Sequence, residues 1–193
     1  MASRLLALIV FFTIAAGGSQ MAKAQSVDFS CPKAGIVEVR DTWQTRRYLG
    51  TSNGDPYVCK VMDPWGKVHS WLFNYWQVDD QFKGEGPRKA FIALLSGSQK
   101  TVTFEYEHPV SRLLNHSTWT FLRHETLTVE GKPFDTIVFS IVSRSSWGST
   151  FNSTRWFDPK DGLWMKRELG LINGGLNGGT PPSFVDVSVT FPQ

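Results

Sequence analysis

Cysteine is scarce: the 193 residues contain only Cys31 and Cys59. They form no Cys-x-x-Cys pair, so thiol-redox chemistry is not expected. Histidine is limited to His69, His108, His116 and His124, with no His-Glu-x-x-His spacing among them. A zinc ion wants three or four converging ligands, so no metal is expected. Serines are plentiful, yet no Gly-x-Ser-x-Gly elbow is present. The glycine-rich run from Leu171 to Pro182 lacks the Gly-Lys-Ser/Thr of a phosphate loop and reads as a loop. No motif calls for a cofactor. Paired acids occur at Asp79-Asp80, Glu105/Glu107 and Asp158/Asp161, but close spacing along the chain does not place two carboxyls on opposite sides of a glycosidic bond.

Basic charge is thinly spread. No Lys/Arg cluster exceeds a pair, as in Arg46-Arg47, Arg88-Lys89 and Lys166-Arg167. Nucleic acid needs concentrated positive charge, so it is excluded as a partner. Long apolar runs are missing as well: the longest, residues 5–16, falls short of the ~20 residues that span a bilayer, so no membrane span is expected.

That run has another use. Arg4 precedes it and Ala22-Lys23-Ala24 follows, with small residues at the positions before a cut. The pattern predicts a secretory signal peptide over residues 1–24, cleaved after Ala24, and one β-rich domain over residues 25–193. Arg4 and Lys23 leave with the leader, so 18 Lys and Arg then face 17 Asp and Glu and the mature chain is close to neutral. In an oxidising compartment the economical reading of Cys31 and Cys59 is one structural disulfide, with two free thiols or a metal pair as alternatives. The expected location is the periplasm or the exterior.

Apolar residues recur at spacing two through most of what remains, interrupted by turn formers. In Phe134 to Val142 both alternate faces are largely apolar, so something should cover the second face of that strand. Glu130-Gly131-Lys132-Pro133, Ser145 to Gly148 and Asp158 to Gly162 mark turns around it. Upstream, Ile36 to Leu49 reads as extended. Tyr57 to Met62 and Lys67 to Trp76 form a hairpin about Asp63-Pro64-Trp65-Gly66. Thr101 to Glu107, Thr118 to Val129 and Ser183 to Phe191 complete the strands, the second being one strand or two meeting near His124-Glu125. One helix is expected, opening at Pro87 and stopping at Gly97, with Phe91, Leu94 and Leu95 against the sheet. The predicted fold is mainly β: a curved antiparallel sheet, half-barrel or open barrel, with one short helix packed against it.

Aromatic residues are abundant. Trp71, Phe73 and Tyr75 share a face if the second hairpin strand is regular, and with Phe139 and Trp156 they form the candidate ligand-binding set. The same rings could equally be core, because aromatic side chains bury large areas and favour strands. His116 and His124, eight apart and next to Glu125, are the one arrangement that could hint at hydrolysis.

Gly131-x-Pro133-Phe134-Asp135-Thr136, followed by Trp156-Phe157-Asp158-Pro159-x-x-Gly162-Leu163-Trp164-x-Lys166-Arg167, resembles secreted, mostly proteobacterial β-proteins of uncharacterised function. These are similar in architecture to the lipoprotein-carrier (LolA/LolB-like) half-barrel. The resemblance implies turn-forming roles for Asp158, Pro159 and Gly162, packing roles for Trp156 and Trp164, and a strand end near Lys166 and Arg167. A concave apolar wall suits a hydrophobic small molecule, so the expected function is non-enzymatic binding or carriage of an apolar, lipid-like envelope ligand. The alternatives are an envelope structural or interaction module, meeting an envelope protein through Gly84-Glu85-Gly86 and Asn173 to Pro182, and a hydrolase.

Overall fold

The computed structural model describes residues 28–192 except 43, 53, 79–81, 83, 109–111 and 174–183. The expected leader with its cut after Ala24, the Asp79-Asp80 pair, and the glycine-rich loop from 174 onward lie outside the described residues.

The strands are β1 (Val37–Arg40), β2 (Thr45–Ser52), β3 (Asp55–Met62), β4 (Val68–Leu72) and β5 (Trp76–Val78). After helix α1 (Glu85–Leu95) come β6 (Thr101–Glu107), β7 (Leu114–Val129), β8 (Lys132–Ser145), β9 (Thr150–Asp158), β10 (Leu163–Asn173) and β11 (Phe184–Thr190). Their spatial order is β5-β4-β3-β2-β1-β11-β10-β9-β8-β7-β6, antiparallel throughout. Every pair of strands consecutive in sequence is also hydrogen-bonded, except β5 and β6. That is where α1 is inserted. The β10–β11 ladder is reduced to Lys166↔Val185 and Arg167↔Phe184 among the described pairs. The structure thus divides there into two curved antiparallel sheets that do not close into a barrel. The free edges approach through rings, with Trp76 of β5 centred 5.9 Å from Phe104 and 6.1 Å from Tyr106 of β6.

Helix α1 starts two residues before Pro87, with Gly84 at its N-cap in the left-handed region at φ 65°. Gly84-Glu85-Gly86 is therefore the entry to a helix and not a free loop. Glu85 suits the first turn through the helix dipole, and Gly86 lies so close to β6 that a Cβ would sit 3.0 Å from the Glu105 carbonyl. Eleven residues cannot sustain a helix alone. Its stripe of Pro87, Ala90, Phe91, Leu94 and Leu95 is buried as expected. The Phe91 ring lies 4.7 Å from Phe73, 5.5 Å from Phe157, 5.7 Å from both Trp119 and Trp164, and 5.8 Å from Phe139. This helix-side core is mostly aromatic.

The second face of β8 is covered from Phe134 to Val138, while Val142 at its far end stays exposed. Ile137, Phe139 and Ile141 join the helix-side core, while Phe134 packs with Val129, Leu163 and Met165 against Ile36, Tyr48, Val61 and Val189. Cys31 and Cys59 form the expected disulfide. Beside it Phe29 packs 5.0 Å from Phe73 and 6.0 Å from Phe157.

Three expectations need correction. Ile36 to Leu49 is not one run: the Arg40 N–H donates to the Gln44 carbonyl at 3.0 Å, closing a turn between β1 and β2. Lys67 to Trp76 is not one strand either. It folds back at Phe73 and Asn74, which take φ of 51° and 55°. Non-glycine residues there are costly and need outside support. The Trp164 indole N–H donates to the Phe73 carbonyl at 2.9 Å, and the Phe73 N–H to the Tyr57 carbonyl at 2.7 Å. Third, β7 is a single strand through His116 and His124, but a bulge lies between Phe121 and Arg123. The cross-strand partners of the two histidines are Arg144 and Ile137, an odd number of residues apart, so the bulge puts them on opposite faces.

Candidate functional site

Strand β1 inverts the usual alternation. Its valines are half-buried while Glu38 and Arg40 are buried. Burying a carboxylate requires partners. Glu38 accepts hydrogen bonds from Arg40 Nε and from the Tyr48 hydroxyl. The Asn74 amide donates to the Tyr48 oxygen at 2.8 Å and Arg40 Nη2 donates to the Trp164 carbonyl at 3.4 Å. Burial first, and the Glu38 charge second, raise the Tyr48 pKa, so its hydroxyl remains a donor. This network pins the Phe73–Asn74 turn and β10 to the β1–β2 hairpin.

Further guanidiniums gather around it. Arg46 faces Glu38 across the β1–β2 ladder and stacks 5.0 Å from the centre of the Trp71 ring. Arg155 of β9 stacks 4.4 Å from the centre of Tyr75, and its cross-strand neighbour is Arg167 of β10. Desolvation and then the charges of neighbouring arginines lower the pKa of Arg155 and of Arg46; burial and Arg155 bring Arg167 to about 10. Guanidiniums remain protonated at neutral pH regardless. Arg155 and Arg46 make no ion pair with any carboxylate among the described residues. Arg155 Nε is buried without a hydrogen-bond partner.

Register shows how the inner face of the β6–β10 sheet is graded. Paired residues share a face. Phe157 and Trp164 form one row, Phe121, Phe139, Arg155 and Arg167 the next, then Trp119, Ile141, Ser153 and Leu169, then Phe104, Ser117 and Ser143. The face therefore passes from packed rings to buried hydroxyls, with Ser117 and Ser143 hydrogen-bonded at 2.7 Å. Arg155 stands at the changeover.

The candidate aromatics are not brought into one patch. Phe73 and Phe139 are fully buried in the helix-side core. Trp156 points to the opposite face from Arg155 and is buried beneath Lys166, whose Nζ lies 4.3 Å from its ring centre. Trp71 and Tyr75 alone among them stay partly open, Trp71 against the second core and Tyr75 against the first. Each carries a guanidinium on its face. The sequence shows Arg46 and Arg167 only as members of basic pairs, because Arg46, Arg155 and Arg167 sit in strands far apart along the chain. The one local signal was Arg155 at spacing two from Phe157.

The histidine arrangement does not form. His116 pairs with Glu105 at 2.8 Å on an exposed face, His69 with Asp63 at 3.1 Å, and His124 lies by Phe121. Among the described residues no group of His, Cys, Asp or Glu could hold a metal ion, and no helix is long and apolar enough to cross a membrane. In the Asp158 to Gly162 turn, desolvation raises the buried Asp158 carboxyl to about 6.

Fold and site together define a disulfide-linked, mainly antiparallel β protein, curved but open, with a helix in its mouth and arginine-capped aromatics at its seam. No known family model matches the chain, and no curated protein matches it. Among solved structures, the hypothetical lipoprotein YmcC from Escherichia coli is similar, at 13% identity and a TM-score of 0.47, over 72% of this chain and 80% of that one.

Proposed function

We propose that this is a non-enzymatic binding or carrier protein of the periplasm or exterior, taking an apolar, lipid-like envelope ligand along the partly open aromatic seam. The observation that supports it most is the contrast between sealed rings such as Phe139 and the partly open Trp71 and Tyr75. Half-covered aromatic walls next to a few fixed polar groups are the usual make-up of ligand sites. The disulfide fits an oxidising compartment.

A neutral apolar fluorophore such as N-phenyl-1-naphthylamine tests this. Saturable binding at one site per chain, weakened in Trp71→Ala and in Tyr75→Ala, is expected. Binding that is absent, or indifferent to both substitutions, would overturn the reading.

A second reading, an interaction module, is favoured by Trp65 and Trp147, which are 87% and 73% exposed at the β3–β4 and β8–β9 turns. In the antiparallel order β3 and β8 run the same way, so both tips lie at one edge of the strand array. Unchanged capture of envelope proteins by a Trp65→Ser, Trp147→Ser double variant would dismiss it.

A further inference from the structure

We infer that the seam holds the anionic head, phosphate or carboxylate, of an amphipathic ligand on Arg155 and Arg46, with Tyr75 and Trp71 receiving the adjoining apolar part. This rests on the binding reading above and narrows its ligand class. Arg155 is partly buried, stands beside Arg167 across the ladder, and leaves its buried Nε without a hydrogen-bond acceptor. Its guanidinium stacks on the Tyr75 face, 4.4 Å from the ring centre. Arg46 stacks on Trp71 from the other sheet, opposite Glu38 across the β1–β2 ladder but without an ion pair to it among the described residues, so its charge is only partly offset.

A guanidinium buried without a counter-charge is unfavourable, and two facing each other across a ladder add repulsion. A structural role would be served better by a salt bridge or an apolar side chain at position 155. An incoming oxyanion satisfies what the protein leaves open: it accepts from Nε and the terminal nitrogens in the forked geometry that arginine offers to phosphate and carboxylate. Glu38 is already occupied by Arg40 and Tyr48, so it does not neutralise Arg155. The aromatic faces beneath the guanidiniums continue into the helix-side core through Trp164, 5.3 Å from Tyr75. A chain attached to the head group meets rings on that side and buried hydroxyls on the other.

The test is calorimetric titration of the full mature chain with dodecyl phosphate, dodecanoate, dodecyl maltoside and inorganic phosphate. Arg155→Met and Arg46→Met are compared with the exposed Arg123→Met as control. Circular dichroism confirms that each variant is folded, and the two site variants serve as independent checks. The anionic amphiphiles are expected to bind at least about tenfold more tightly than the maltoside, and Arg155→Met to remove about that factor for them alone. The tighter of the phosphate and carboxylate arms identifies the head group. Equal affinity for charged and neutral amphiphiles, or no change in either site variant, overturns the anion site while leaving apolar binding in place. Arg155-dependent binding of inorganic phosphate with no binding of any chain overturns the apolar reading and keeps the anion site. No binding in any arm overturns both.

Discussion

The Arg155 guanidinium lies 4.4 Å from the centre of the Tyr75 ring, and Arg167 stands beside it across the β9–β10 ladder. Cation–π stacking contributes about 0.5–2 kcal/mol, while desolvation and the facing guanidinium work against it. An apolar residue of similar length would keep the ring contact and remove both penalties. Arg155→Met is therefore expected to raise the stability of the unliganded protein by about 1 kcal/mol, whereas Arg155→Lys, still charged, should not. Urea unfolding of the two variants checks this. A Met variant less stable than the wild type by 1 kcal/mol or more would show that Arg155 has a compensating partner.

Asp158 gives the clearest pH dependence. Desolvation, with a smaller contribution from the Asp161 charge, raises its carboxyl to about 6, against hydrogen bonds from the Lys160 and Asp161 backbone that act in the opposite direction. The folded state thus holds this proton more tightly than the unfolded chain, whose aspartate titrates near about 3.9. This group's contribution is full below pH ~4, declines as pH rises through about 6, and is absent above. Asp158→Asn retains an acceptor for Lys160 and should be more stable than wild type by about 2 kcal/mol at pH 7, with no advantage near pH 3.5. Melting curves across that range decide, and an Asn variant less stable at both ends would sink the assignment.

Phe91 holds α1 against the sheet through contacts with Phe73, Trp119, Phe139, Phe157 and Trp164. Phe91→Ala is expected to lose about 3–5 kcal/mol. Because α1 packs on β6, where Gly86 abuts the Glu105 carbonyl, hydrogen exchange should accelerate first in α1 and β6. A loss under 1 kcal/mol would mean that the ring is not the anchor.

Gly162 adopts φ +67° at a turn where an added Cβ would lie 2.1 Å from the Ser30 carbonyl oxygen. The contact is with backbone, and that backbone is tethered next door by the disulfide at Cys31. Gly162→Ala should destabilise by more than the roughly 1 kcal/mol of backbone strain alone, and reducing the disulfide should relieve part of the excess. Equal penalties in the oxidised and reduced proteins would separate the turn from the tether.

Local patterns were legible wherever one element decides its own conformation. The two apolar faces of Phe134 to Val142 announced a strand covered on both sides, and Phe134 and Phe139 do lie in different cores. Phe91, Leu94 and Leu95 marked the buried side of the helix. Reading failed where distant chain segments overrule the local pattern. Phe73 is a poor turn former at positive φ, and the turn holds because Trp164 and Tyr48 bond to Phe73 and Asn74 from β10 and β2. In β1 Glu38 and Arg40 take the buried side, since their partners Tyr48 and Trp164 come from elsewhere. The separation of His116 from His124 required the bulge at Phe121–Arg123, which no residue there signals. The arginine seam, built from β1, β2, β9 and β10, could appear only once those strands were placed.

Native mass spectrometry of the chain, expressed from Met1 and isolated from the envelope fraction or medium without detergent, tests ligand binding most directly. The account predicts a polypeptide beginning at Gln25, oxidised at Cys31 and Cys59, carrying an amphipathic anion that collisional activation removes and that Arg155→Met fails to retain. Bare polypeptide, together with no adduct after incubation with an anionic amphiphile, would contradict it.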